Sequence, residues 1–273
     1  MTVPRRWRAA AIALLLGWNT AAAQTRDSVQ KTFFVPRDGA IGAAFAVASI
    51  GLSAFDVRLA RNFQDTTNLH VRAGRRADDV FTNVNETTLT VGGLAVYAIA
   101  RLAKNETVAD IAFHTAASVA AASVTAQLIR GPLGRTRPLN TNPPFGDQYD
   151  FHFLKGFGNF SNRAFPSIHS SSGFAAASAI VAETKRRARG SVWYVAVPAY
   201  AIALTPGLAR MYLGQHWASD IFAGAFLGTF YGWRVVDYSH DHKQTAVDKV
   251  FLGVDRGTAP RANEYKIGWT VQF

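Results

Sequence analysis

The chain reads as an all-α protein, a helical bundle of about six core helices followed by a short C-terminal β-hairpin. Three observations predict this. Six Ala/Gly-rich apolar segments, at residues 39–55, 89–103, 108–129, 171–182, 192–209 and 216–236, have helical length and are built largely from strong helix formers. The stretches between them are polar, notably 56–88 and 131–163, and the second is rich in Pro, Gly and Asn with no apolar period. Only the tail changes its periodicity. There Tyr265, Ile267, Trp269, Val271 and Phe273 alternate with Lys266, Gly268, Thr270 and Gln272, downstream of "VFLGVD", which is the pattern of a strand pair. One hairpin cannot close a barrel, so it is read as packing or docking.

Each part of the chain has its own logic. The first 23 residues carry the three parts of a secretory signal: basic Arg5, Arg6 and Arg8, an apolar run from Ala9 to Trp18, and small residues at Ala21 and Ala23. Residues 24–240 form one domain, since 273 residues at 49% hydrophobic content suit a single sizeable core, and 241–273 form the tail. The 131–163 connection is long for a compact domain, which marks it as functional or mobile. Pro198, Pro206 and Gly207 are expected to kink or end the fifth helix.

Composition narrows the function. Without the signal the chain keeps 26 basic against 18 acidic residues, a net of +8, which suits phosphorylated or anionic lipid partners. Export argues against nucleic acid as the working partner. The lack of cysteine excludes disulfides, thiolate metal sites and a cysteine nucleophile. The mean hydropathy is near zero, and if all six segments crossed a membrane, "KRRAR" at 185–189 would fall on the outside, against the positive-inside rule. A bundle in the periplasm or cell envelope, soluble or resting on a membrane surface, is therefore expected ahead of an integral membrane protein.

Three segments carry groups suited to chemistry. In "ARMYLGQHWASD", His216 and Asp220 are four apart, so at the start of the sixth helix the carboxylate can orient the imidazole, while Arg210 approaches from the preceding helix end. A buried His–Asp pair with a surface arginine would leave the same trace. In "FPSIHSSSGFAAASA", Ser167 can cap the fourth helix, whose free N–H groups make an anion site with His169 in its first turn. Plain capping explains the serine equally well. In "RGPLGRTRP", Arg130, Arg135 and Arg137 follow a helix end, with paired donors for phosphate oxygens, though a solvated basic loop is the ordinary reading of such a run. Antiparallel neighbours would bring all three segments to one end of the bundle.

Together, Arg130-x6-Arg137-Pro138, Pro166-Ser167-x-His169 and Arg210-x5-His216-x3-Asp220 resemble the three-part signature of the type 2 phosphatidic acid phosphatase (PAP2) superfamily. That family spans lipid phosphate phosphatases, class A acid phosphatases and vanadium haloperoxidases, and it has an α-helical core. The chain departs from the pattern at Arg130, Ile168 and Ala209, where the family has Lys, Gly and Ser. The resemblance implies a metal-independent phosphatase that hydrolyses a phosphomonoester, such as a lipid phosphate or prenyl diphosphate, through a phosphohistidine intermediate.

By the same resemblance His216 is the nucleophile, Asp220 its orienting partner and His169 the general acid and base. Arg130, Arg137, Arg210, Ser167 and the backbone of Ile168 and His169 bind the phosphate. No metal or other cofactor is implied, because the arginines do the work of a cation. Vanadate would be the cofactor only in the alternative reading, a haloperoxidase. A non-catalytic phosphate- or lipid-binding envelope protein is the second alternative.

Other candidates carry weaker signals. Asp110 and His114 are spaced as a helix-face pair. "HDH" at 240–242 resembles a metal-binding fragment but brings no further ligands of its own. His152 and Lys155 lie in the long connection, within reach of a substrate if it folds over the site.

Overall fold

The computed structural model describes residues 32–65, 81 and 83–241. The signal segment and the C-terminal hairpin lie outside the described residues. Within them the architecture is helical: α1 (Pro36–Ser53), α2 (Asp56–Gln64), α3 (Glu86–Leu102), α4 (Glu106–Leu133), α5 (Ile168–Arg187), α6 (Val192–Tyr212) and α7 (Ala218–Asp241). An isolated antiparallel bridge between Arg135 and Phe151 is the sole β pairing among the described residues.

Local chemistry sets the helix boundaries. Asn85 caps α3 by accepting from the backbone N–H groups of Thr87 and Thr88 at 3.0 and 3.1 Å, and Asn105 caps α4 through Val108 at 3.1 Å. Ser167 caps α5 as expected, through Ser170 N–H at 3.4 Å. α4 ends at Gly134, whose φ of +61° is left-handed, and a Cβ there would lie 1.8 Å from the His152 carbonyl oxygen. Lys185, Arg186 and Arg187 occupy the last turn of α5, where cations favour the helix dipole.

Two expectations are corrected here. The polar stretch after the first helix contains α2, a nine-residue helix that opens on the buried Asp56. The fifth helix does not end at its prolines but runs through Pro198 and Pro206 to Tyr212. Pro206 offers no N–H to the Ile202 carbonyl, and the Thr205 hydroxyl takes that acceptor instead at 2.6 Å. The ladder thus loses a donor without leaving the acceptor bare.

α5 is the central element, packed against α4, α6 and α7, with α3 on the outer side of α4 and α1 on α7. Small residues let α5 and α7 approach closely. Gly224, Gly228 and Gly232 recur at four-residue intervals on α7, and a Cβ at either of the first two would stand 2.3 Å from the carbonyl oxygen of Ser167 or Ser171. The facing helix supplies serine and alanine, so the contact is made largely by backbone and Cβ atoms. One apolar cluster joins Val119 and Ala122 to Ala175 and Ala176, and another joins Ala179 and Ala182 to Val236.

Two helical segments, Glu106–Leu133 and Arg189–Tyr212, are long and apolar enough to cross a membrane, and α1 with α2, bent by 57°, would make a third if they act as one span. The modest mean hydropathy of the chain is therefore no bar to crossing. Large apolar side chains stand exposed along α3 (Val91, Ile99, Leu102) and α6 (Trp193, Tyr194, Val197, Ile202).

Candidate active site

The C-terminal ends of α4 and α6, the N-terminus of α5 and the entry to α7 carry the three sequence segments, and the structure brings them together. After burial, the field that acts on His169 comes from Arg210, His216, Arg137 and Arg130, in that order. Four of the expected phosphate and histidine groups therefore surround the fifth. Arg210, in the last turn of α6, donates from its NH2 group to His169 Nε2 at 2.8 Å. His169 Nε2 is thus an acceptor in this state and its ring is neutral. Burial, reinforced by the arginines, lowers its pKa to about 3.

His216 is buried just ahead of α7. Its Nδ1 lies 2.7 Å from the Ala164 carbonyl oxygen. A carbonyl only accepts, so Nδ1 carries the proton and the Nε2 lone pair is left available as a nucleophile. Burial holds the ring below the usual histidine pKa, against the raising influence of Asp220.

Here the sequence expectation needs correction. α7 begins at Ala218, so His216 and Asp220 do not share a turn, and Asp220 Oδ2 stands 3.6 Å from Nδ1, beyond hydrogen-bond reach. The Ala164 carbonyl, rather than Asp220, fixes the tautomer. Asp220 accepts from the Trp217 N–H at 2.7 Å, closing the first turn of α7, and acts on His216 as a nearby charge.

Asp220 is itself held by a group outside the predicted site. Arg135, 2% exposed, donates to Asp220 Oδ1 at 2.6 Å and to Asp56 Oδ2 at 2.8 Å, and it also reaches Ser219 Oγ and the Gln148 carbonyl. Asp56 in turn accepts from the Ser219 N–H at 2.9 Å. Burial would raise the pKa of Asp220, but the Arg135 guanidinium, the neighbouring His216 and the Trp217 N–H outweigh it and leave the carboxyl below its ordinary value. Arg135 thus faces the carboxylates while its neighbour faces the site. The bridge from Arg135 to Phe151 and the bond from Ala164 N–H to the Arg135 carbonyl pin the two sides of the long connection together.

Arg137 donates through Nε to the Phe160 carbonyl at 3.0 Å, lies 3.7 Å from the Phe160 ring centroid, and donates through Nη1 to Gln215 Oε1. Gln215 was not expected in the site; only its place beside His216 hints at it. Arg130 is half-buried and donates to Gln127 at 2.7 Å. Ser167 and the Ile168 side chain are buried. Ser167 N–H is bonded to the Asp220 carbonyl at 3.0 Å, so the first-turn N–H groups left over by helix bonding are those of Ile168 and His169. His152 pairs with Asp150 at 2.8 Å on the exposed connection, and Lys155 is exposed in a short 3₁₀ turn. Neither is brought into the cluster by a contact in the structure. Asp110 and His114 also find partners on α5, Arg187 and Glu183.

Three arginines, a capped helix N-terminus and two histidines converge at one end of an α-helical bundle, an arrangement that can hold a tetrahedral oxyanion. Residues 111–244, just under half of the chain, match the PAP2 superfamily. The chain is 33% identical over 119 residues to a lipid A 4'-phosphatase of Bacteroides thetaiotaomicron, covering 43% of this chain and 48% of that protein. It is 35% identical over 85 residues to a lipid A 1-phosphatase of Porphyromonas gingivalis, covering 31% and 18%. The chain thus spans half or less of the length of these curated relatives. Among solved structures, a transmembrane PAP2 type phosphatidylglycerolphosphate phosphatase from Bacillus subtilis aligns over 72% of this chain and 98% of its own, with 18% identity and a TM-score of 0.33.

Proposed function

We propose that the protein is a metal-independent phosphatase that hydrolyses the phosphomonoester of a membrane lipid through a phosphohistidine at His216. The observation that carries this reading is the Nδ1 bond of His216 to the Ala164 carbonyl, which leaves Nε2 unprotonated on a ring that feels the charge of Arg137. Nε2 attacks phosphorus as the bond to the lipid oxygen breaks, and the leaving oxygen takes a proton from His169. Water then attacks the phosphohistidine, giving its proton to His169 as phosphate leaves and the His216 lone pair returns. Arg130, Arg137, Arg210 and the N–H groups of Ile168 and His169 neutralise the equatorial oxygens throughout, each donor worth about 3–4 kcal/mol in the transition state.

In the ligand-free site His169 is neutral, so the acid must be charged by substrate. A phosphate dianion draws the Arg210 donors to itself and offsets the positive field, which raises the proton affinity of His169. The general acid forms only where there is a phosphate to protonate.

The lipid assignment rests on the surface around the site. Tyr149, Phe151, Phe153, Leu154, Phe157 and Phe160, all exposed, crowd the connection that also carries Arg135 and Arg137. Six large apolar groups on one loop suit the interfacial region of a bilayer better than water. The lipid A phosphatase relatives are in accord. The test is a panel of vesicle-borne lipid phosphates, prenyl diphosphates and soluble phosphomonoesters in the presence of EDTA. Phosphate should be released fastest from a lipid monoester and be abolished by His216→Ala. Preference for soluble esters would overturn the lipid assignment, and activity in His216→Ala would overturn the mechanism.

A further inference from the structure

α4, α5 and α7 meet a second time at a site of a different chemistry. Glu183 follows His169 by fourteen residues on α5, which places it about 21 Å farther along the helix axis. Its side chain is wholly buried. One carboxylate oxygen, Oε1, faces His114 Nδ1 from α4 and His240 Nε2, at 2.9 Å, from α7. The other, Oε2, faces Arg187, which also reaches Asp110 Oδ2 at 3.4 Å.

Arg187 alone would compensate the buried carboxylate. The two imidazoles exceed that need, yet each comes from a different helix and aims a ring nitrogen at the same oxygen. The three ligand atoms lie within 4.8 Å of one another. Two imidazole nitrogens and a carboxylate oxygen are a borderline donor set suited to zinc and its first-row neighbours. In a four-coordinate zinc site such atoms stand roughly 3.3 Å apart, so small side-chain shifts suffice.

The surroundings fit a cation. Among the described residues, ion pairs join the four carboxylates of Glu183, Asp110, Asp237 and Asp241 with the two guanidinium groups of Arg186 and Arg187. Arg187 on Oε2 would orient the carboxylate, the usual task of a group behind a metal ligand. The His240 side chain is 29% exposed and gives an entry path.

We propose that His114, Glu183 and His240 bind one divalent first-row transition metal ion, which ties α4, α5 and α7 together away from the phosphate site. Binding exchanges the two His–Glu hydrogen bonds for three metal–ligand bonds, with both imidazoles neutral and the carboxylate ionised. Zinc titration of the full-length, metal-stripped protein in detergent, read by competition with a chromophoric chelator, tests this. One equivalent should bind with a dissociation constant below micromolar and raise the melting temperature.

His169→Ala/His216→Ala should keep that equivalent, which sets aside zinc on the phosphate-site histidines. His240→Ala, at a partly exposed position, should lose it together with the thermal shift while releasing phosphate at the wild-type rate. Failure of the wild type to bind, or equal binding and equal thermal shift in His240→Ala, would overturn the proposal.

Discussion

His216 takes its tautomer from a backbone carbonyl, and the residues behind it act through position. Arg135 is the clearest case, because its guanidinium pairs with both Asp56 on α2 and Asp220 on α7. Arg135→Met would leave two buried carboxylates without their cation, a loss of about 3–5 kcal/mol that thermal or urea unfolding would read. Arg210→Lys keeps the charge but loses the planar fork, and should lower kcat/KM about 100-fold.

His169 gives two pH-dependent outcomes. Its pKa of about 3 lies below the free value, so the folded state binds fewer protons and stability falls as pH drops from about 6.5 toward 3. His169→Gln should flatten that limb of the stability profile. Sulfate, a tetrahedral dianion that does not titrate there, should bind near pH 6 with uptake of up to one proton per site. Calorimetry in buffers of different ionisation heat would show the uptake, and His169→Gln would lack it. The histidines and arginines of the cluster were legible because each sits at or within a few residues of a recognisable helix end. Arg135 was visible as a charge but its role was not, since Asp56 lies 79 residues away in the sequence and no local spacing links them.

At the level of elements, the contact of α5 with α7 positions both histidines. Gly228→Ala would set a methyl group 2.3 Å from the Ser171 carbonyl oxygen and 2.7 Å from the Ala175 backbone nitrogen, neither of which can swing away. It should cost about 1–3 kcal/mol of stability by overpacking and lower kcat, since the strain runs along α5 to His169. All six apolar segments proved helical, because alanine-rich runs of that length signal helix strongly. Their ends were less legible. Pro206 looks like a stop in sequence, but the Thr205 hydroxyl serves the carbonyl that proline leaves unpaired. The His216–Asp220 spacing looks like one helical turn, but the turn starts two residues after His216, and a carbonyl from the long connection takes the place expected for the carboxylate.

Over the whole molecule, one end of the bundle holds Arg130, Arg137 and Arg210 with the exposed aromatic side chains of the long connection, while the other holds the buried Glu183 cluster. An end-on arrangement of this kind suits a site that works at a membrane surface. Phe153→Ser/Phe157→Ser should lower phosphate release from vesicle-borne lipid about tenfold, the equivalent of roughly 1.4 kcal/mol of apolar contact, and leave a short soluble phosphomonoester unaffected. The central claim is the covalent step at His216. Rapid acid-free quenching of the enzyme with a substrate labelled in its phosphoryl group, followed by peptide mapping, should find an acid-labile, base-stable phosphoryl group on His216 that forms no slower than phosphate is released. A wild-type enzyme that turns over with no label on His216, or with the label on another residue, would contradict the account.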